Sequence, residues 1–236
     1  MAQQRTTQNS MRQARSHRAR GFSIIEMATA IILLGIVFVM TLKGRELVQT
    51  GRAFSVGYQM EQYLSRIQLY EAGYANLPGD DPTAPLRFGR PAATYFMNSL
   101  IVSEAGDGEL DGRLGDTLSA NGEHFMAWRD LRFAGLLEGD PELAGASAMP
   151  ENPFGGVFGF DQGNLGQQPP GSLCATRVPG AAAETIDRRL DDGAIATGEV
   201  VATSRFSIQD ANHFDAPDTE PYDVEKEYII CLQLSR

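Results

Sequence analysis

The chain has 236 residues, of which 42% are apolar and 21% charged, and a formal net charge of −10. This length can bury one medium hydrophobic core or two small ones, and the composition argues against a globally disordered chain. The acidic balance disfavours binding to phosphate backbones, so no nucleic-acid partner is expected, and two cysteines are too few for a disulfide scaffold or a four-thiolate zinc site.

The first 42 residues combine a basic segment with a long apolar one. Residues 1–21 carry five arginines and no acidic residue, and residues 22–42 contain a single ionisable side chain, Glu26. As a helix the apolar stretch would extend roughly 32 Å, enough to cross the hydrocarbon core of a bilayer. The arginines predict that the N-terminal end stays in the cytoplasm and that the acidic remainder of the chain is exported.

Two familiar interpretations of this segment fit incompletely. A cleaved signal peptide has a shorter apolar region followed by a small-residue cleavage site, and the sequence at residues 41–44, TLKG, is unlike such a site. A plain signal anchor fits the length but leaves Glu26 unexplained. A carboxylate near the start of an apolar run is unfavourable in lipid, so such a residue is expected to have a function and a partner.

The junction of the two segments, residues 20–27, reads RGFSIIEM and resembles the processing motif of type IV prepilins and type II secretion pseudopilins. In that family a membrane peptidase cleaves after the glycine that ends a basic leader, and the new N-terminal residue is N-methylated. The resemblance implies that Gly21 ends the leader, that Phe22 is the mature N-terminus and that prepilin peptidase is a partner. Cleavage would create an α-ammonium group, which Glu26 of a neighbouring subunit could neutralise in a helical bundle.

The resemblance further implies an α+β, pilin-like fold, with a long N-terminal helix packed on a globular head that has a small antiparallel sheet and long loops. Other pilin or pseudopilin subunits would contact the N-terminal helix, and the chain would lie in the bacterial inner membrane, head in the periplasm, before it enters a fibre. The mature chain of 215 residues (236 − 21) is large for a major pilin and favours a minor subunit. Met11 could start a shorter leader. The alternative is a signal-anchored periplasmic binding domain or hydrolase that does not polymerise.

Residues 43–76 are predicted to continue the helix as an amphipathic segment. Apolar and aromatic side chains recur every three or four residues and predict one buried face: Val56, Met60, Tyr63, Ile67, Tyr70 and Tyr74. Gly73 and the turn sequence after it, Leu77-Pro78-Gly79, predict the end of the helix. The expected helix thus runs from Phe22 to about residue 72, and its apolar first half is residues 22–42.

The periplasmic head is predicted to cover residues 77–236. Two short helices are expected at 121–137, with Phe125, Trp128 and Leu131 facing inward, and at 183–190; two strands are expected at 200–208 and 227–234. Residues 139–180 contain nine glycines and six prolines and predict an extended irregular loop. Three short blocks match larger pseudopilins: residues 77–80, 128–137 and 190–193.

Cys174 and Cys231 are the two cysteines of the chain. In an exported domain two cysteines most often form a disulfide, and closing this loop would remove about 4 kcal/mol of unfolded-state entropy. The resemblance points the same way, because the family commonly carries a disulfide in its C-terminal region. Two buried free thiols are the alternative.

Residues 107–112, DGELDG, resemble the opening of a calcium-binding loop, with acidic residues at every second position and glycine at the sixth. The candidate ligands are Asp107, Glu109, Asp111 and the nearby Asp116. The bidentate glutamate that closes such loops is missing, since Leu118 occupies the twelfth position, although Asp116 or Glu123 could replace it if the loop folds differently. A solvated acidic turn is therefore the favoured interpretation. The pairs at 80–81 and 191–192 are predicted to be turn and cap residues.

Motifs of common enzymes are missing from the sequence. It contains no GxSxG elbow, no HExxH and no Walker loop. His124, beside Glu123 at a predicted helix start, is expected to be a surface or capping residue rather than a general base. We therefore expect no catalytic activity, and no cofactor other than calcium at residues 107–112.

Overall fold

A computed structural model describes residues 21–89, 106–114, 122–162, 171–204 and 216–234. The chain divides into two compact units, one ending at Arg45 and one beginning at Glu46. The helices are α1 (Ile24–Tyr74), α2 (Ala84–Arg87), α3 (Glu123–Phe133) and α4 (Gly180–Leu190), with a 3-10 turn at Gly145–Ala148; the strands are β1 (Phe158–Asp161), β2 (Ser172–Pro179), β3 (Val200–Thr203) and β4 (Glu227–Gln233).

The first unit contains the apolar part of α1. This helix is the one described helix that is long and apolar enough to cross a membrane. Between Phe22 and Met40, thirteen large apolar side chains are exposed. The first part of α1 therefore has no core of its own to bury it, in contrast to the helices of the second unit.

In the second unit, the later residues of α1 form one wall of the hydrophobic core. Val56, Met60, Tyr63, Ile67 and Tyr70 are buried, and Tyr74 packs partly buried against the same cluster. The spacing of three and four residues had predicted this face, and the prediction is confirmed. The helix ends at Tyr74, two residues beyond the predicted end.

The four strands form one antiparallel sheet in the order β1-β2-β4-β3. One face of β4 presents Tyr228 and Ile230 to the main core, and the other presents Ile229 and Cys231 to a smaller apolar cluster. The predicted α+β class and small antiparallel sheet are confirmed. The strand predicted at 227–234 is β4, and the one at 200–208 is β3 in its described part.

The prediction of an irregular loop over residues 139–180 is wrong, because both β1 and β2 lie within it. The strand residues include Phe158, Phe160, Leu173 and Val178, all fully buried, and their burial in the core outweighs the low strand propensity of the surrounding residues. Most of the glycines and prolines lie outside these two strands, and Pro179 ends β2 where α4 begins.

Helix α3 contributes the centre of the core. Its Trp128 is fully buried, with its ring centroid 5.1 Å from that of Tyr63 on α1 and 4.6 Å from that of Phe160 on β1. Phe125 and Leu131 are also buried, so the predicted inward face of this helix is confirmed. The aromatic contacts tie α1, α3 and the sheet together within the second unit.

A disulfide joins Cys174 on β2 to Cys231 on β4. The two residues are directly paired across neighbouring strands, their Cα atoms are 4.0 Å apart, and both are fully buried. The disulfide therefore lies inside the sheet, on the face opposite the main core. The predicted disulfide is therefore present, and the alternative of two buried free thiols is wrong. A disulfide is consistent with folding in an oxidising compartment.

Candidate functional site

The described residues of the segment that resembles a prepilin processing motif, Gly21 to Met27, lie at the start of α1. Gly21 and Phe22 precede the helix, and the side chain of Phe22 is 76% exposed. The bond between Gly21 and Phe22 thus belongs to a non-helical segment.

Glu26 accepts a hydrogen bond within its own chain. Ser23 immediately precedes the first helical residue, and its backbone N–H donates to Glu26 Oε2 at 3.5 Å. This is the Ser-x-x-Glu arrangement of a capping box, in which the carboxylate satisfies a backbone donor at the helix start. Glu26 is exposed, so its carboxylate can also accept a second donor.

Two carboxylates outside the acidic loop, residues 106–112, hold it: Asp80, in the turn after α1, and Glu123, at the start of α3. Asp80 Oδ2 accepts a hydrogen bond from Gly108 N at 2.7 Å, and its Oδ1 accepts one from Gly106 N. Glu123 Oε2 accepts one from Asp111 N at 2.9 Å. The sequence predicts only a turn role for Asp80. Its hydrogen bond to Gly106, 26 residues away, could not be predicted from the sequence pattern.

Among the described residues, the candidate calcium ligands Asp107, Glu109 and Asp111 do not bring three carboxylate oxygens within 4.8 Å of one another. Asp107 Oδ1 accepts a hydrogen bond from Glu109 N at 2.9 Å, and Asp111 Oδ1 accepts one from Gln162 Nε2 at 2.6 Å. Gly112 has a φ of +119°, and a Cβ there would overlap the His124 ring. The glycine at the sixth position thus has a packing role here. Asp116 lies outside the described residues.

Of the two roles predicted for His124, surface residue or cap, the surface role is wrong, because His124 is 1% exposed; its neighbour Glu123 is 2% exposed. The acidic loop covers the start of α3: His124 N donates to Asp111 O at 3.2 Å. Burial raises the pKa of the Glu123 carboxyl to about 8, and the charges of Asp80, Asp111 and Asp107 act in the same direction.

A second buried carboxylate fastens the turn that follows α1. Asp130 Oδ2 accepts a hydrogen bond from Gly79 N at 2.8 Å, and burial raises the pKa of Asp130 well above its usual range. Gly79 has a φ of +92°, and a Cβ there would overlap the α3 backbone. The block at residues 77–80 therefore owes its glycine to close packing against α3.

Asp187, Asp191 and Asp192 bring one carboxylate oxygen each within 4.8 Å of one another, the one such trio among the described residues. Their oxygens already accept hydrogen bonds, five from residues 193–200 and one from Tyr222. Asp187 accepts from Tyr222 and Gly193, Asp191 from Glu199 and Val200, and Asp192 from Ala194 and Thr197. This trio closes the turn after α4, in agreement with the predicted turn and cap roles.

Comparison of the chain with models of protein families, with curated proteins and with solved structures found no match.

Proposed function

We propose that the chain is a pilin-like subunit, cleaved after Gly21 and assembled through α1 into a type IV pilus or a type II secretion pseudopilus. The observation that carries the proposal is the coincidence of the RGFSIIEM motif with the exposed N-terminal end of a long helix. The size of the head favours a minor subunit, and the role is structural rather than catalytic.

The apolar part of α1 supports this proposal energetically. Burying a large apolar side chain stabilises by about 1.5–3 kcal/mol, so thirteen of them represent on the order of 20–40 kcal/mol. This surface therefore needs a nonaqueous environment. A bilayer and a bundle of like helices both supply one, so the same helix can be stable first in the inner membrane and then in a fibre.

Glu26 sets the axial position at which α1 packs against the helix of a neighbouring subunit. After cleavage, the α-ammonium group of Phe22 lies in apolar surroundings, where an unpaired charge is costly. Glu26 of an adjacent subunit can pair with it, and only one axial offset between the two helices brings the groups together. The exposed position of Glu26 leaves it available for this contact.

A second candidate function is a signal-anchored periplasmic binding domain that does not polymerise. The capping contact between Ser23 and Glu26 favours it, because a capping role accounts for the carboxylate within a single chain. Under this interpretation the basic leader stays attached, and α1 only anchors the head.

Mass spectrometry of the N-terminal peptide, from protein made in its native membrane, distinguishes the two functions. We expect a peptide that begins at N-methylated Phe22. A Gly21→Val variant serves as the control and should keep its leader, because the resemblance places glycine at the cleavage position. An intact leader still joined to Phe22 in the wild-type protein, with prepilin peptidase active, would overturn the proposed function.

A further inference from the structure

The turn between α1 and α2 is held by a carboxyl group that lies inside the head. Asp130 on α3 is fully buried, and its Oδ2 accepts a hydrogen bond from Gly79 N at 2.8 Å. Among the described residues, its Oδ1 has no hydrogen-bond partner. A buried carboxyl group with one oxygen lacking a donor favours the protonated form, because ionisation would leave its charge largely uncompensated.

Asp81, in the same turn, is also buried but has many donors around it. Its two oxygens accept hydrogen bonds from Tyr70 Oη, Asn76 Nδ2, Thr83 N, Thr83 Oγ1 and Arg87 Nη1. Burial alone would raise the pKa of Asp81, but these hydrogen bonds hold it below its ordinary value. The fold therefore compensates a negative charge on Asp81 and provides little for one on Asp130.

Three neighbouring groups act on Asp130: Tyr70 on α1, Asp81 in the turn and Arg87 on α2. Tyr70 is neutral, because burial raises its pKa. Arg87 favours ionisation of Asp130, but it already forms an ion pair with Asp81. Burial has the largest effect on the pKa of Asp130 and raises it, and the charge of Asp81 acts in the same direction against the Gly79 hydrogen bond.

We propose that Asp130 is a pH-sensitive switch, protonated in the folded head, whose ionisation releases the turn after α1 from α3. Residues 77–81 are buried, and Gly79 packs directly against the α3 backbone at Ala127. Ionisation would place a second negative charge near Asp81 in a site closed to water, so hydration of Asp130 requires the turn to separate from α3. Acid should thus stabilise the closed turn and alkali should open it.

The inference does not depend on polymerisation, and urea unfolding of the full chain in detergent tests it, followed by Trp128 fluorescence at several pH values. Asp130→Asn keeps an oxygen for the Gly79 N–H but cannot ionise. Above about pH 5 the unfolded wild-type chain has lost this proton, whereas the folded head retains it, so unfolding releases one proton and stability falls as the pH rises. The ratio of the unfolding constants, wild type over variant, should therefore rise about tenfold per pH unit until Asp130 ionises in the folded head.

The comparison has an internal and an external control. Other buried acids, such as Glu123, contribute equally to both proteins and cancel in the ratio. Asp140→Asn is the matched variant, because Asp140 also accepts one backbone amide, that of Glu142, but is exposed. Its ratio should stay constant over the same pH range. A constant ratio for Asp130→Asn, or an equal slope for Asp140→Asn, would overturn the proposal.

Hydrogen exchange at the Gly79 amide tests the opening of the turn itself. Its protection, relative to the unfolded chain at the same pH, should fall with rising pH in the wild-type protein and stay constant in Asp130→Asn. Protection that is independent of pH in the wild type would overturn the switch. If Asp130→Asn fails to fold, the ¹³C shift of the Asp130 carboxyl in the wild-type protein decides, and titration near the ordinary value of about 3.9 would overturn the proposal.

Discussion

Glu26 illustrates how one side chain can have a role within the subunit and a role between subunits. Its contact with Ser23 N is long, 3.5 Å, and such caps contribute about 1 kcal/mol. Pairing with the α-ammonium group of another subunit involves two full charges in apolar surroundings, and losing one partner of such a pair costs about 3–5 kcal/mol. The charge, rather than the cap, should therefore dominate assembly.

Two substitutions at this position separate the two roles. Glu26→Gln keeps an oxygen for the capping contact but removes the charge, whereas Glu26→Ala removes both. We expect both variants to be cleaved normally and both to enter fibres at least about tenfold less than the wild-type protein. The measurement is the amount of each variant in sheared fibres relative to the membrane fraction.

The comparison between these variants decides the interpretation. If Glu26→Gln assembled like the wild-type protein while Glu26→Ala did not, the side chain would act as a cap. If both assembled normally, the register argument would be wrong.

At the scale of elements, the sequence predicts those helices and strands whose apolar residues recur at a regular spacing. The buried face of α1, the inward face of α3 and the strand β4 follow spacings that the sequence displays directly. The strands β1 and β2 were missed because Gly159 and the flanking glycines and prolines lower strand propensity, while burial of their side chains in the main core determines their structure.

For the candidate functional residues too, the sequence predicts what is contiguous in the chain and misses contacts between distant residues. The motif at Gly21, Phe22 and Glu26 is contiguous, so the sequence alone identifies it. The contacts of Asp130 with Gly79 and of Asp80 with Gly108 join residues 51 and 28 positions apart. A buried acid that accepts a distant amide resembles an ordinary surface acid until the fold brings the two together.

Two tyrosines on opposite faces of α1 test how the second unit uses this helix. Tyr63 is 8% exposed, and its ring contacts Trp128 and Phe158 edge-on; Tyr58 is 55% exposed. We expect Tyr63→Ala to lower the free energy of unfolding by about 3–5 kcal/mol and Tyr58→Ala to change it by less than about 0.5 kcal/mol. Urea unfolding followed by the fluorescence of Trp128 measures both.

Equal effects of the two substitutions would contradict the packing described for this helix. A small effect of Tyr63→Ala alone would mean that the aromatic contacts around Trp128 rearrange without loss.

At the scale of the whole molecule, charge and redox state point to the same division between compartments. The five arginines of residues 1–21 precede the apolar helix, and the remaining residues carry 15 basic and 30 acidic side chains. The positive end should stay in the cytoplasm. The head, with its disulfide at the centre of the sheet, should then fold where thiols are oxidised.

The disulfide should therefore matter more for the stability of the head than for its architecture. Cys174 and Cys231 are 57 residues apart in the chain, so the cross-link removes about 4 kcal/mol of unfolded-state entropy in the loop-closure model. We expect the double variant Cys174→Ala/Cys231→Ala to lose about that much free energy of unfolding, and more through the cavity that two missing sulfur atoms leave. Urea unfolding of the two proteins measures the difference.

The slope of unfolding against urea distinguishes this mechanism from a loss of native packing. Without the cross-link the unfolded chain expands and exposes more surface, so the m-value of the double variant should rise. A cavity without a change in the unfolded state would lower the free energy of unfolding at constant m. A loss below about 1 kcal/mol with constant m would contradict the entropic account, and the buried sulfur pair would then act mainly as ordinary core packing.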